Sequence, residues 1–145
     1  MTTDDYHLRF GGIERLYGRK ALHAFHHAHI AIVGLGGVGS WAAEALARSG
    51  IGTITLIDMD DICISNTNRQ LHALQGQYGR TKTDAMAERL RAINPQADIR
   101  VHFGFLTVKN VGELITEDMT GVVDAIDSVK AKAALIAHCQ RRKIP

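Results

Sequence analysis

The residues of this chain with the clearest chemical potential begin with a glycine turn, Gly34-Leu35-Gly36-Gly37-Val38-Gly39. An apolar run, Ile30 to Val33, leads into it, and Trp41 to Ala47, rich in good helix formers, follows. Strand, glycine turn and helix is the context in which Gly-x-Gly-x-x-Gly spacing is a nucleotide-binding fingerprint. Gly34 permits the tight turn, Gly36 lets the backbone approach a phosphate, and Gly39 lets the helix lie close to the sheet. The helix start then offers N–H groups and partial positive charge to an anion. The turn alone does not separate NAD, FAD or ATP.

Further candidates stand at other strand ends. Asp58 closes the run Ile51 to Ile57, 24 residues after Gly34, where an acid accepts hydrogen bonds from ribose hydroxyls. Asp60 and Asp61 follow as loop or cap residues within reach of a metal. Arg69 and Lys82 lie on the next segment, and Asp127 follows the strand ending near Ile126. Singly, Arg69 and Lys82 read as solvated cations and Asp127 as a helix cap. Together they suit a triphosphate, whose charge calls for Arg and Lys and whose Mg²⁺ takes one or two carboxylates plus phosphate oxygens. A dinucleotide needs the glycine turn and one acid, so this set favours ATP with Mg²⁺ over NAD.

The elements that must position these residues follow from periodicity. An N-terminal arm, Tyr6 to Gly18, precedes a helix from about Arg19 to His27. His23, His26 and His27 share that helix, with His29 just beyond. They read as a solvated face, because no cysteine or carboxylate joins them at metal-ligand spacing. The helix after the glycine turn stops at Gly50, a suitable C-terminal residue. Met86, Leu90 and Ile93 mark an amphipathic helix ending at Asn94-Pro95. Ile99 to Phe103 is a strand, Val108 to Ile115 a short helix, Val122 to Ile126 a strand, and Val129 to Arg142 the last helix. The alternation predicts an α/β fold: a Rossmann-like, doubly wound parallel sheet with helices on both faces, preceded by an N-terminal arm and helix. Residues 1–28 are read as the arm and helix, and 29–145 as the nucleotide-binding domain.

With 145 residues and 46% hydrophobic content the chain suits one domain with a real core, and a net charge of +2 only permits an acidic partner. Cys63 and Cys139 lie far apart without metal-ligand spacing, which fits a reduced, cytoplasmic protein better than a disulfide scaffold. No apolar run approaches the ~18 residues of a membrane span. The opening Met1-Thr2-Thr3-Asp4-Asp5 is unlike a signal peptide. Since the last helix ends where the alternation would next supply a strand, the chain is expected to be a piece of a longer protein.

Taken in order, Gly34-x-Gly36-Gly37-Val38-Gly39, Asp58-x-Asp60, Ser65-Asn66-x-Asn68-Arg69-Gln70, Gly79-x-x-Lys82 and Asp124-Ala125-Ile126-Asp127 resemble the ThiF/MoeB/HesA superfamily, adenylating enzymes related to ubiquitin activators. The resemblance runs from about residue 9 to residue 145. It implies that Asp58 holds the ATP ribose, Arg69 and Lys82 bind the triphosphate, and Asp127 places Mg²⁺. It also implies that Gly36 and Gly37 admit the nucleotide and that Asn66 sits near the phosphates, with Gly34, Gly39 and Asp60 completing the set. Arg9-Phe10-Gly11-Gly12, Gly39 to Leu46, Asn66 to Leu74 and Asp124 to Lys132 are most similar to the bacterial branch that cyclises threonylcarbamoyladenosine beside the tRNA anticodon. That resemblance implies a modified tRNA as partner, a homodimer, and a possible sulfur-transfer protein as a further partner. Many members carry an arm arginine that reaches the partner subunit's phosphates. Gly12 stands at that place here, leaving Arg9 or Arg15 for the role. Other readings are adenylation of the C-terminal glycine of a ubiquitin-like sulfur carrier, an NAD-dependent oxidoreductase, and a non-catalytic nucleotide-sensing module.

Overall fold

The computed structural model describes residues 3–145; Met1 and Thr2 of the acidic N-terminal stretch lie outside the described residues. Four strands form one sheet: β1 (His29–Val33), β2 (Thr53–Asp58), β3 (Asp98–Phe103) and β4 (Gly121–Asp124). Their order is β3-β2-β1-β4 and every pairing is parallel. The chain builds outward from β1 in one direction and then returns to β1's other side, leaving a crevice at the carboxyl ends of β1 and β4. Register places Val33 opposite both Ile57 and Asp124, so the three strand ends that carry candidate residues are level.

Alternating side chains give the sheet two apolar faces. Ile32, Ile54 and Leu56 pack with Ala43 and Ala47 of α3 (Gly39–Arg48) and Met86 and Leu90 of α4 (Lys82–Ile93). Ala31, Val33 and Ile57 face the other way. They meet Val111 of α5 (Val111–Leu114), Ile115, Leu135 of α6 (Val129–Arg142) and Ile144. Met86 and Leu90 are wholly buried, each contributing about 1.5–3 kcal/mol of transfer free energy. His29 departs from the solvated reading of the histidines. It is buried at the start of β1, with Nδ1 2.8 Å from Asp118 Oδ2 and Nε2 2.8 Å from Thr55 Oγ1.

The N-terminal arm is corrected to a helix, α1 (Thr3–Tyr17), separated from α2 (Arg19–His27) by Gly18 at φ 88°. The Gly11-Gly12 pair suggests a break, but Tyr6, Phe10 and Ile13 at i, i+4 and i+7 pack with Leu22 and hold the helix through it. The Tyr6 hydroxyl donates to Gly50 O at 2.6 Å, and Gly52 N–H donates to Phe25 O at 3.0 Å, docking both helices on the base of the sheet. β4 ends at Asp124 rather than Ile126, because the chain turns away at Ala125, whose carbonyl closes over Gly34.

Candidate functional site

Gly34 has φ 96°, and a Cβ there would lie 2.4 Å from Ala125 O; a Cβ on Gly39 would lie 1.6 Å from Gly34 O. The turn is therefore closed to any side chain at both positions. Val38 gives α3 no side-chain cap; Ser40 N–H donates back to Gly36 O at 3.1 Å, and the remaining N–H groups of the helix start are left to solvent or a ligand. Behind the turn, Ser40 Oγ donates to Gly36 O at 2.6 Å and accepts from Leu71 N–H at 3.2 Å. Trp41 Nε1 donates to Arg69 O at 2.9 Å. These bonds stitch the crossover after β2 onto the glycine turn and set Arg69 beside Gly37, where a Cβ would be 3.4 Å from Arg69 Cγ.

A cleft of about 950 Å³ opens at this end of the sheet. Gly34, Gly36, Gly37, Asp58, Asp60, Arg69, Lys82 and Asp127 all line it. Asp58 is held from two sides: Oδ2 accepts from Leu35 N–H and Oδ1 from Asp60 N–H, each at 2.7 Å. Lys82 opens α4 after Thr81, whose hydroxyl caps the helix by accepting from Asp84 N–H. Its side chain is 7% exposed, and its Nζ lies 3.7 Å from Asp60 Oδ2. Arg69 is exposed and directs one guanidinium nitrogen to Ser65 O and Asn68 Oδ1, at 3.1 and 2.8 Å. Asp127 is exposed, just ahead of Ser128, the N-cap of α6. Asp124 pairs with Lys132 at 2.8 Å and accepts from Ile126 N–H, which orders the loop that presents Asp127.

Two expected positions lie off the cleft wall. Gly39 is underneath the turn, where its lack of a side chain allows the close helix packing. Asn66 is buried, and its side-chain amide oxygen Oδ1 accepts from Cys63 N–H at 2.9 Å, shaping the 3₁₀ turn Ile64–Asn66 that carries the chain towards Arg69. Neither arm arginine lines the cleft of its own chain. Arg9 borders a groove with Arg48 and Arg89 on another part of the surface.

The other wall escapes sequence reasoning. Met59, Phe105, Leu106, Val108, Lys109 and Lys130 line the cleft, several of them on the loop after β3. Asn110 shapes that loop, donating from Nδ2 to Phe105 O and accepting from Thr107 N–H. The available signal was positional: the loop leaves the carboxyl end of a strand, as Asp58 and Asp127 do. The cleft thus combines an open helix start, a fixed carboxylate, a buried ammonium, a guanidinium and an exposed carboxylate beside apolar walls. This set of groups suits a ligand that carries phosphates and hydroxyls beside an apolar ring.

Fold and site together define a doubly wound α/β domain with a charged cleft at the carboxyl ends of its strands. The pattern of the ThiF family matches residues 12–145. This chain belongs to the ThiF family. It is 59% identical to the tRNA threonylcarbamoyladenosine dehydratase of Escherichia coli over 145 residues, all of this chain and 54% of that protein. The Haemophilus influenzae enzyme of the same name is 52% identical over 141 residues, 97% of this chain and 54% of that protein. The crystal structure of the E. coli dehydratase in complex with ATP superposes with a TM-score of 0.97 at 58% identity, covering all of this chain and 60% of that one. The chain therefore spans about half the length of these relatives.

Proposed function

We propose that this chain is the ATP-binding half of an enzyme that adenylates a carboxylate, and that its substrate is threonylcarbamoyladenosine in tRNA, which it dehydrates to a cyclic form. The observation carrying this reading is the meeting of Asp58, Arg69, Lys82 and Asp127 in one cleft beside an uncapped helix start. The relatives named for that reaction, one of them crystallised with ATP, support it.

In the first step the substrate carboxylate attacks the α-phosphorus of ATP, the α–β bridging bond breaks, and pyrophosphate leaves. In the second an internal nitrogen or oxygen attacks the acyl carbon, AMP departs with the former carboxylate oxygen, and a proton is released. The net change is loss of water at the expense of ATP. Asp58 accepts from the ribose hydroxyls. The glycine turn brings backbone N–H groups to the phosphates. Arg69 forks onto two phosphate oxygens, and Lys82 meets the charge that grows on the leaving group. Asp127, an exposed carboxylate on the cleft wall, fits Mg²⁺, which would neutralise the triphosphate. The assembly we propose is a cytoplasmic homodimer, supported by Leu8, Leu16 and Tyr17, which α1 exposes to solvent.

The test is turnover by the full-length protein. Arg69→Ala, Lys82→Ala and Asp127→Ala should each lower ATP-dependent cyclisation of modified tRNA by roughly 10²–10³, while sparing turnover of a pre-activated acyl analogue. Equal failure with both substrates assigns these residues to the second step or to the fold and sinks the reading.

A further inference from the structure

His72 lies on the crossover strap three residues after Arg69 and does not line the cleft. It is 3% exposed. Its Nε2 is 2.7 Å from the carbonyl oxygen of Leu35, inside the glycine turn, so this nitrogen carries the proton and donates. The other ring nitrogen, Nδ1, is buried and has no hydrogen-bond partner among the described residues. An orphaned buried acceptor is costly, and an apolar side chain of similar size would fill the space without that cost. The ring's distinctive contribution is therefore the bond to Leu35.

That bond continues towards the cleft. The peptide after Leu35's carbonyl leads into Gly36, on the cleft wall, while Leu35's own N–H donates to Asp58 Oδ2 at 2.7 Å. Asp58 Oδ1 accepts from Asp60 N–H, and Asp60 faces Lys82. We infer that His72 is a positioning residue for the nucleotide: from behind the turn it fixes Leu35, and through Leu35 it aims the Asp58 carboxylate at the ribose. Burial above all holds the imidazole below its ordinary basicity, against the pull of the Leu35 carbonyl, and the Lys82 charge adds to the depression. The ring thus stays a neutral single donor and adds no charge behind the phosphate site.

The inference rests on the proposed nucleotide site and makes a claim separable from it. Because His72 acts through Leu35 and Asp58, its loss must be felt equally by every ligand that carries the ribose, whatever its phosphate count. The experiment is calorimetric titration of the full-length protein with ATP and with AMP, comparing wild type, His72→Phe, His72→Gln and Lys82→Ala. His72→Phe should raise both dissociation constants by the same factor, roughly five- to tenfold, with unchanged binding stoichiometry. His72→Gln, which can present an N–H at similar reach, should recover most of the loss. Lys82→Ala should weaken ATP far more than AMP. A His72→Phe protein with wild-type constants, or a His72→Gln protein as weak as His72→Phe, overturns the inference. So does a loss for ATP much larger than for AMP. If His72→Phe does not fold, His72→Gln and His72→Met, close in volume and differing in the donor, are read in the same way. Wild-type protein that binds neither nucleotide overturns the site itself along with the inference.

Discussion

Asp58 offers two carboxylate oxygens, each already bonded to one backbone N–H, and each keeps acceptor capacity for a hydroxyl. A carboxylate fixed in this way loses little freedom when a ribose arrives, so its contribution to binding is not diluted by ordering cost. Asp58→Ala should weaken ATP binding by about 1–3 kcal/mol, the range for a lost charge-assisted hydrogen bond, in a protein that remains folded. Isothermal titration beside a thermal melt checks this, and an unchanged affinity removes Asp58 from the site. Arg69 differs in kind. Its exposed guanidinium rests on Ser65 and Asn68, contacts that phosphate oxygens can replace. Lys82 is buried at the start of α4 with Asp60 at 3.7 Å, so its charge is compensated before any ligand binds.

The α3–α4 pair, which starts at Gly39 under the glycine turn and at Lys82 on the cleft wall, is tied together through the buried Glu44. Glu44 of α3 receives Arg89 of α4 through two nitrogens, at 2.6 and 2.9 Å, and Arg48 of its own helix at 2.9 Å. The hydrogen bond from Arg89 is the main reason the Glu44 carboxyl lies below its ordinary value; burial opposes it, and Arg48 adds to it. A depressed carboxyl pKa stabilises the fold above the unfolded value, near 4.5, and that contribution is lost as the pH falls through the folded value. Glu44→Gln should therefore cost about 1–2 kcal/mol near neutral pH, discounted for the solvent around both arginines, and progressively less below about pH 4.5. Urea titrations of both proteins at pH 7 and pH 4 check this. A gap that stays constant between them would mean the residue acts through packing rather than charge.

At the scale of the whole molecule, α1 and α2 tie the chain's start to the base of the sheet, at the end away from the cleft. Tyr6 is the clearest link, buried against Phe10 and Leu22 with its hydroxyl on Gly50 O. Removing its hydroxyl from water pushes that group's pKa up to about 12, so it stays a neutral donor. α1 exposes Leu8 at 81%, Leu16 at 69% and Tyr17 at 60%. Large apolar groups left exposed on one helix are suited to a partner surface, and two-fold dimers are the commonest soluble assembly. Light scattering on the full-length protein should give a dimer mass at micromolar concentration. Replacing Leu8 and Leu16 by Ser should shift the mass towards the monomer while leaving the thermal transition in place. A wild-type monomer counts against the proposed assembly.

The sequence by itself determined the order of elements, the parallel sheet and the glycine turn with its following helix. Each depends on neighbours within a few residues: apolar period, helix formers, and spacing where only glycine fits. The placement of Asp58 at a strand end, and of Asp127 in the loop just beyond one, followed from the same local pattern. Tertiary structure alone decided that the N-terminal stretch is helical, because Tyr6, Phe10 and Ile13 outweigh Gly11-Gly12 only once Leu22 is packed beneath them. It also decided that Asn66 caps a turn off the cleft wall, that Phe105, Val108, Lys109 and Lys130 form the second wall, and that His72 reaches back to Leu35. The physical reason is shared by all of these. Their roles come from contacts across long stretches of chain, and such contacts leave no period or spacing in the sequence to read.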